Sequence, residues 1–434
     1  MNIFYLPFQI ESCKNFPVEV YIPYSNQLCS VIQEQIFLVK DTNIEIKSFE
    51  TLTCLFRKLS ENDCSLKTLN HLADTLKGNF NPNSLLFDST LRIFISISVA
   101  SEKLSFCIIE KILPTLMNLY MITTAVFHQI IIFKYLITLA KVHMDFKNDT
   151  YLKDVEGLEV IPTMCLRNVL SDEIDFQVCG LQSIASLAKY IDHNMRCEVY
   201  QNLSQILLIP LNSTVRKNLI CCFQTFATRY PDEISKVIDE LQPNSVSTCL
   251  YLEVVGSVAD NMSLMENSLH ILKKYSTLKY FEIGISCSAL RLITDLLISN
   301  GTLVHSFFIR VNFTSDLIDW FLDISNEIDQ QHNIQFLEIF SNVLCLLVGP
   351  LSSIEQSTLV NGQLVKIFSV YEKFHNDIVL IAVYGLTISL LKDTTIDFNL
   401  REVLCDVLLL TESSYINKLS SQLLGNILNK LLVG

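Results

Sequence analysis

The chain has 434 residues, half of them hydrophobic, with only 11 Gly and 10 Pro, so it carries too much apolar material and too few breakers to remain disordered. A formal net charge of −13 and a pI near 5.1 argue against general affinity for phosphate backbones, which works through Lys and Arg displacing counterions. The basic residues are scattered in runs no longer than pairs such as Lys273 and Lys274, so neither a polybasic membrane patch nor a nuclear-import cluster is present.

Residues 1–28 are expected to form an extended, Pro-containing lead-in, followed by a continuous repeat array over 29–434. Pro7, Pro17 and Pro23 would interrupt a helix there, and the segment lacks the basic start and unbroken apolar stretch of a signal peptide. "FPVEVYIPY" alternates like a short strand, while its prolines suit a docked connector equally well. With secretion disfavoured, the Asn-x-Ser/Thr triplets at Asn148, Asn202, Asn212, Asn261, Asn300 and Asn312 lose their meaning as glycan acceptors.

From Gln27 the pattern is helical. "DTNIEIKSFETLTCLFRKLS" carries Phe49, Leu52, Phe56 and Leu59 on one stripe. "LMNLYMITTAVFHQIIIFKYLITLA", Leu116 to Ala140, is the best candidate for a membrane span, but Asn118, His128, Gln129 and Lys134 interrupt it and no unbroken apolar run exceeds four residues. A span needs about 20 mostly apolar residues, so this stretch reads as a buried pair of helices inside a helical stack.

Two phrases then repeat each other. "SDEIDFQVCGLQSIASLAKYID" (171–192) and "LNSTVRKNLICCFQTFATRYP" (211–231) each open on a polar turn and continue with apolar residues at helical spacing. A shift of 39 lays Phe176 on Val215, Leu181 on Ile220, Ile184 on Phe223 and Leu187 on Phe226. Self-similarity at roughly 40 residues is the period of HEAT and armadillo repeats, which makes the fold class an all-α solenoid of stacked helix pairs.

Further helices follow. "EIGISCSALRLITDLLISNG" has its stripe on Ala289, Ile293, Leu296 and Leu297, with Gly301 as an expected helix stop. "HNIQFLEIFSNVLCLLVGP" presents Phe336, Ile339, Val343 and Leu346 before Gly349-Pro350, and "HNDIVLIAVYGLTISLLKD" presents Leu380, Val383, Leu386 and Leu390 before Asp393. Polar stretches at 78–84, 144–157, 241–247 and 325–333 read as joints between repeats, with the longest, ending at Gly157, a place for the stack to bend. Trp320 is the single tryptophan, so the Trp and Asn ladder of an importin-α-like armadillo groove is missing.

No chemistry announces itself, and no catalytic, cofactor-binding or metal-binding residue is singled out. The sequence has no Gly-rich phosphate loop, no His-Glu-x-x-His and no Gly-x-Ser-x-Gly, and its eight histidines are spread singly from His71 to His375. His128 and His270 fall within helical patterns and read as packed or interfacial imidazoles. Fourteen cysteines include no Cys-x-x-Cys, and the one adjacent pair, Cys221 and Cys222, would point in different directions on a helix. They read as small core residues of a reducing compartment.

The run from Leu158 to Gln242, "LEVIPTMCLRNVLSDEIDFQVCGLQSIASLAKYID" and onward through the second phrase, resembles HEAT repeats of the methyl methanesulfonate sensitivity (nucleotide-excision-repair) family, the large targeting subunit of the cytosolic iron-sulfur assembly machinery. "FYLPFQI" (4–10) is similar to the end of that family's N-terminal region, "NSLLFDSTLRIFISISVASEKLSFCIIEKILPTLM" (83–117) to an earlier repeat, and "INKLSSQLLGNILNKL" (416–431) to a later one. The resemblance rests on repeat order and apolar pattern, and family members are considerably longer, so the chain is expected to be a fragment or a shortened form.

What the resemblance implies is a non-enzymatic adaptor that presents apoprotein clients, among them DNA repair and replication enzymes, for cluster insertion. Its implied partners are a WD-repeat propeller, a small bridging subunit and the clients, in cytoplasm and nucleus, without direct nucleic-acid or membrane contact. The same repeats would serve an unrelated HEAT scaffold such as a transport receptor or a phosphatase regulatory subunit, which co-purified partners would separate. A cluster carrier using Cys221 and Cys222 would bind iron under anaerobic reconstitution.

Overall fold

Asp41 shows how the sequence starts its helices: its carboxylate accepts from the backbone N–H of Asn43 at 2.8 Å and of Ile44 at 3.4 Å, satisfying donors that have no partner within the helix. The helix that follows, Thr42–Leu59, buries Leu52, Phe56 and Leu59 of the predicted stripe, while Phe49 is only half-buried. This computed structural model describes residues 17–324, apart from 39–40, 62–63, 149, 242, 244–246 and 279–281, with short stretches between 339 and 350. The expected features at 4–10, 325–333, Phe336, 375–393 and 416–431 lie outside the described residues.

The described residues are helical with no strand. Within the expected strand, residues 17–24 form two 3-10 turns, Val18–Val20 and Ile22–Tyr24, with Val18 and Tyr21 buried. Its prolines deny a strand the N–H donors it needs. Sixteen α-helices then follow among the described residues. They are α1 (Ser25–Leu38), α2 (Thr42–Leu59), α3 (Cys64–Leu76), α4 (Phe87–Ser98), α5 (Glu102–Ile122), α6 (Val126–Asp145), α7 (Ile161–Val169) and α8 (Ile174–Leu187). The remainder are α9 (His193–Leu207), α10 (Ser213–Arg229), α11 (Pro231–Glu240), α12 (Thr248–Val258), α13 (Met262–Ser276), α14 (Ile283–Ser299), α15 (Gly301–Arg310) and α16 (Phe313–Ile324).

By its packing the chain divides into two units, residues 1–203 with 212–222, and 204–211 with 223–434. In the first unit α2, α4, α6 and α8 lie side by side in one layer and α1, α3 and α5 in another, while α1 with α2, α5 with α6 and α7 with α8 close the pairs between layers. In the second, α12 packs on α14, and α11, α13 and α15 form the facing row. Each unit is thus a two-layered stack of helix pairs, the α-solenoid that the repeat predicts.

The doubled phrase falls on α8 and α10. Leu181, Ile184, Leu187 and Ala188 are fully buried, as are Val215, Phe223, Phe226 and Ala227 in the second copy, but Ile220, which the shift pairs with Leu181, is half-buried and Leu219 takes the core position. Gly180 explains the tight α7–α8 crossing: a Cβ there would stand 2.6 Å from the Val169 backbone nitrogen and 2.9 Å from the Cys165 carbonyl oxygen. The joint ending at Gly157 uses that residue at φ +84°, a left-handed conformation that glycine adopts without steric cost.

The stretch Leu116–Ala140 is the end of α5, a three-residue turn and most of α6. Leu116, Ile132, Phe133, Leu136 and Ile137 are buried as the two helices pack on each other, and α6 also packs on α4 and α8. By length and composition α5 and α6 are each apolar enough to cross a membrane, although both contribute to this core. Gly301 departs from expectation. Helix α14 does end at Ser299, but the boundary is Asn300, and Gly301 opens α15.

Candidate functional site

Side-chain hydrogen bonds join successive repeats, and they do so at the repeat period. In the even-numbered layer of the first unit, Arg92 of α4 pairs with Glu45 in the first turn of α2 and lies over the Phe49 ring, 4.6 Å from its centroid. One repeat later the Tyr135 hydroxyl of α6 donates to the Asp88 carboxylate of α4 at 2.5 Å. Burial first, and the neighbouring Asp88 second, push the Tyr135 phenol far above its usual range, so it stays a neutral donor. On the other layer Lys111 donates to Asn70, and the Tyr120 hydroxyl to the Asn168 amide oxygen at 2.8 Å.

The two edges of this unit differ in chemistry. At one edge the even helices end, and there Lys147 holds Glu102 at 2.6 Å, Tyr190 donates to Asp145, and Lys153 holds Asp192 at 2.8 Å. The Lys147 hydrogen bond and charge keep the Glu102 carboxyl below its ordinary range. Desolvation would raise Asp192, but the Lys153 bond and charge outweigh it, leaving that carboxyl low as well.

At the opposite edge the odd helices end and the even ones begin, and exposed apolar side chains recur at successive corners. Leu38 ends α1, Leu85 precedes α4, Met121, Ile122, Val126 and Phe127 form the α5–α6 turn, and Leu170 with Ile174 forms the α7–α8 turn. This recurrent apolar row, whose members include Leu85 and the Met121–Phe127 turn, is the feature of this unit with the most to offer a partner.

Some groups with reactive potential are buried, while Cys197, whose Sγ is 3.8 Å from the His193 Nε2, and Cys221 are exposed. Ser105 and His143 sit side by side between α5 and α6, Oγ to Nδ1 3.2 Å, which is the spacing of a nucleophile and its base. Both are fully enclosed, and the His143 Nε2 has no hydrogen-bond partner. Burial, aided by the Lys147 charge and opposed by Glu102, lowers the imidazole's pKa and favours the neutral ring. With no route for a substrate, this pair fixes the α5–α6 interface.

Cys165, Cys179 and Cys222 are likewise buried and close enough to raise the Cys165 thiol through their charges, although desolvation is the larger cause. Cys29 is pushed up to about 12 by burial. Thiols held protonated in this way are poor nucleophiles and poor metal ligands. Cys221 is exposed while Cys222 is buried, so the adjacent pair diverges. Among the described residues no group of three or more His, Cys, Asp or Glu side chains is arranged to hold a metal ion.

Neither histidine named from the pattern is buried: half-buried His128 lies against the exposed Phe127, with centroids 5.7 Å apart, and exposed His270 meets the Phe307 ring edge-to-face at 4.8 Å. Two structural histidines escape a sequence reading: His143, and His305, whose Nε2 is 2.8 Å from the Leu347 carbonyl oxygen. Both bonds span about one repeat, a separation at which no local motif forms.

No family profile and no curated protein matches the sequence. Among solved structures, the chain is similar to one from a Kap95:Nup1 complex, at 14% identity and a TM-score of 0.43 over 93% of this chain and 51% of that one. It is also similar to yeast importin-β (Kap95p), at 12% identity and 0.40 over 97% and 59%, and to an engineered protein, at 12% and 0.34 over 90% and 99%. The chain thus spans little more than half the length of those two Kap95 chains.

Proposed function

We propose that the chain is a non-enzymatic protein-binding scaffold, and that it serves the targeting step of cytosolic iron-sulfur protein assembly by presenting apoprotein clients for cluster insertion. The observation that carries the scaffold reading is the exposed apolar row at the corners of the first unit. Buried, protonated thiols and an enclosed Ser–His pair suit packing better than catalysis. The assignment to iron-sulfur targeting comes from the resemblance of the 158–242 run and the order of its flanking segments.

On this reading the partners are the WD-repeat propeller, the small bridging subunit and iron-sulfur apoproteins of DNA repair and replication, met in cytoplasm and nucleus. The acidic balance agrees with action through those clients and not through direct contact with DNA.

Affinity purification of the tagged chain from cells of its own source, with mass spectrometry of what accompanies it, tests this. Recovery of iron-sulfur assembly subunits and their clients is expected. Recovery of nuclear-pore or phosphatase components in their place would leave only a solenoid scaffold of another pathway. A chain that takes up iron on anaerobic reconstitution, with a thiolate band abolished by C221S/C222S, would make it a cluster carrier.

A further inference from the structure

We infer that the α5–α6 corner of the first unit is a docking surface for a basic amphipathic helix of a partner protein. This rests on the protein-binding reading and gives one of its surfaces a partner chemistry. The 22 residues from Ile112 to Phe133 contain no Asp, Glu, Lys or Arg. At the turn between the two helices, Met121 is 66%, Ile122 64% and Phe127 70% exposed.

Register explains why these side chains have no cover. The Glu45–Arg92 and Asp88–Tyr135 contacts each join residues 47 apart in the even layer. In the same layer the short Thr53 side chain donates to the Ser96 carbonyl, 43 residues on, so the offset lies between 43 and 47. Counted back from Val126 by that offset, α6 starts four to eight residues, or about 6–12 Å, beyond the level of Phe87, the first residue of α4, and the hairpin stands proud of that helix.

The next corner supplies the charge. Tyr190 and Asp145 are 45 residues apart, and that shift sets Phe127 beside Asp172. Asp172, Glu173 and Asp175 are exposed there with the apolar Leu170 and Ile174, against the single base Arg167. Neighbouring helices in such a layer lie about 8–10 Å apart, and seven residues of helix rise about 10.5 Å. A helix lying along the edge thus brings one apolar residue to the hairpin and another, two turns on, to Leu170 and Ile174. Lys or Arg on its flanks meets the acids.

Methionine adapts to the shape of what it covers, which suits Met121 to a helix of variable side chains. A membrane suits the corner less well, because an anionic leaflet repels the acids beside the hydrophobic tip.

The test titrates the full chain into a labelled 18-residue synthetic helix with Leu at i, i+3, i+4, i+7 and Lys elsewhere, and into its counterpart with Glu in place of Lys. The Lys helix is expected to bind at least about tenfold more tightly at low salt. I122D/F127D should weaken it by about tenfold or more with unchanged circular dichroism and melting. D172N/E173Q/D175N should weaken it severalfold and flatten its salt dependence. Should I122D/F127D melt differently, M121Q/F127S takes its place.

Equal binding of the two helices, undiminished binding by the variants, or co-sedimentation with phosphatidylcholine vesicles without binding of either helix would each overturn the proposal. Capture experiments separate it from the wider reading. If I122D/F127D collects the same iron-sulfur subunits as the native chain, the scaffold stands and this surface is not their dock. If the native chain collects none yet binds the Lys helix selectively, the surface stands and the assignment to iron-sulfur assembly falls.

Discussion

Gly180 and His143 carry more of the first unit's packing than their residue types announce. Any Cβ at 180 drives into the backbone of α7, at the Val169 nitrogen and the Cys165 carbonyl, and backbone has no rotamer with which to yield. Gly180→Ala is therefore expected to destabilise by about 1–3 kcal/mol, read as a lower denaturant midpoint at unchanged m-value. Gly284→Ala is the contrasting case, since a Cβ at that exposed position in α14 meets open space. There the lower entropy of the unfolded chain should stabilise by about 0.4–1 kcal/mol.

His143 gives the fold a pH dependence of known sign. Its folded pKa lies below the ordinary 6.5, first because of burial and then because of Lys147, so the unfolded chain binds the proton more readily. Stability from this residue is intact above 6.5, falls as pH drops below that value, and levels off once pH passes the lower folded pKa. Urea midpoints of the native chain and His143→Leu at pH 7.5 and pH 5.5 check this: the drop on acidification should be smaller in the variant. An equal drop in both would assign the acid sensitivity elsewhere.

At the scale of the element, the polar bonds between repeats act as a register key. Tyr190 bonds Asp145, Tyr135 bonds Asp88 and Arg92 bonds Glu45, each between helices one repeat apart. Tyr190→Phe removes a charge-assisted bond at an exposed carboxylate, for a loss of about 1 kcal/mol. Hydrogen exchange should show the loss concentrated at the ends of α6 and α8.

The helices themselves were legible in the sequence, because a 3.6-residue stripe such as Ile184, Leu187 and Ala188 is local. The ladder was not. Its members sit about one repeat apart and look, one at a time, like ordinary solvated side chains. The stop at Ser299 was legible, but Gly301 serves the following helix, since Asn300 already makes the turn. The α5–α6 stretch read as buried by its composition, yet its exposed tip depends on a register between neighbouring helices that no single helix encodes.

At the scale of the whole molecule, the two edges of the first unit differ in emphasis: one carries the Lys147–Glu102 and Lys153–Asp192 pairs with Val99, Phe106 and Val160 exposed beside them, while the other, which also holds the Arg92–Glu45 pair, exposes Leu85, the Met121–Phe127 turn and Leu170 with Ile174 at successive corners. Stacked repeats permit this because each contacts only its neighbours and the corners are free to vary. On the proposed scaffold reading, partners gather along the apolar edge, and replacing its exposed side chains should disturb several complexes at once while leaving the chain folded.

Cross-linking mass spectrometry of the complexes captured by the tagged chain tests that claim most directly. A photoreactive residue replaces Leu85, Phe127 or Leu170 on the apolar edge, or Lys147 or Lys153 on the ion-paired edge, one site at a time. The account predicts that partner cross-links form from the apolar edge and are scarce from the other. Cross-links concentrated at positions 147 and 153, with none from Phe127, would contradict it.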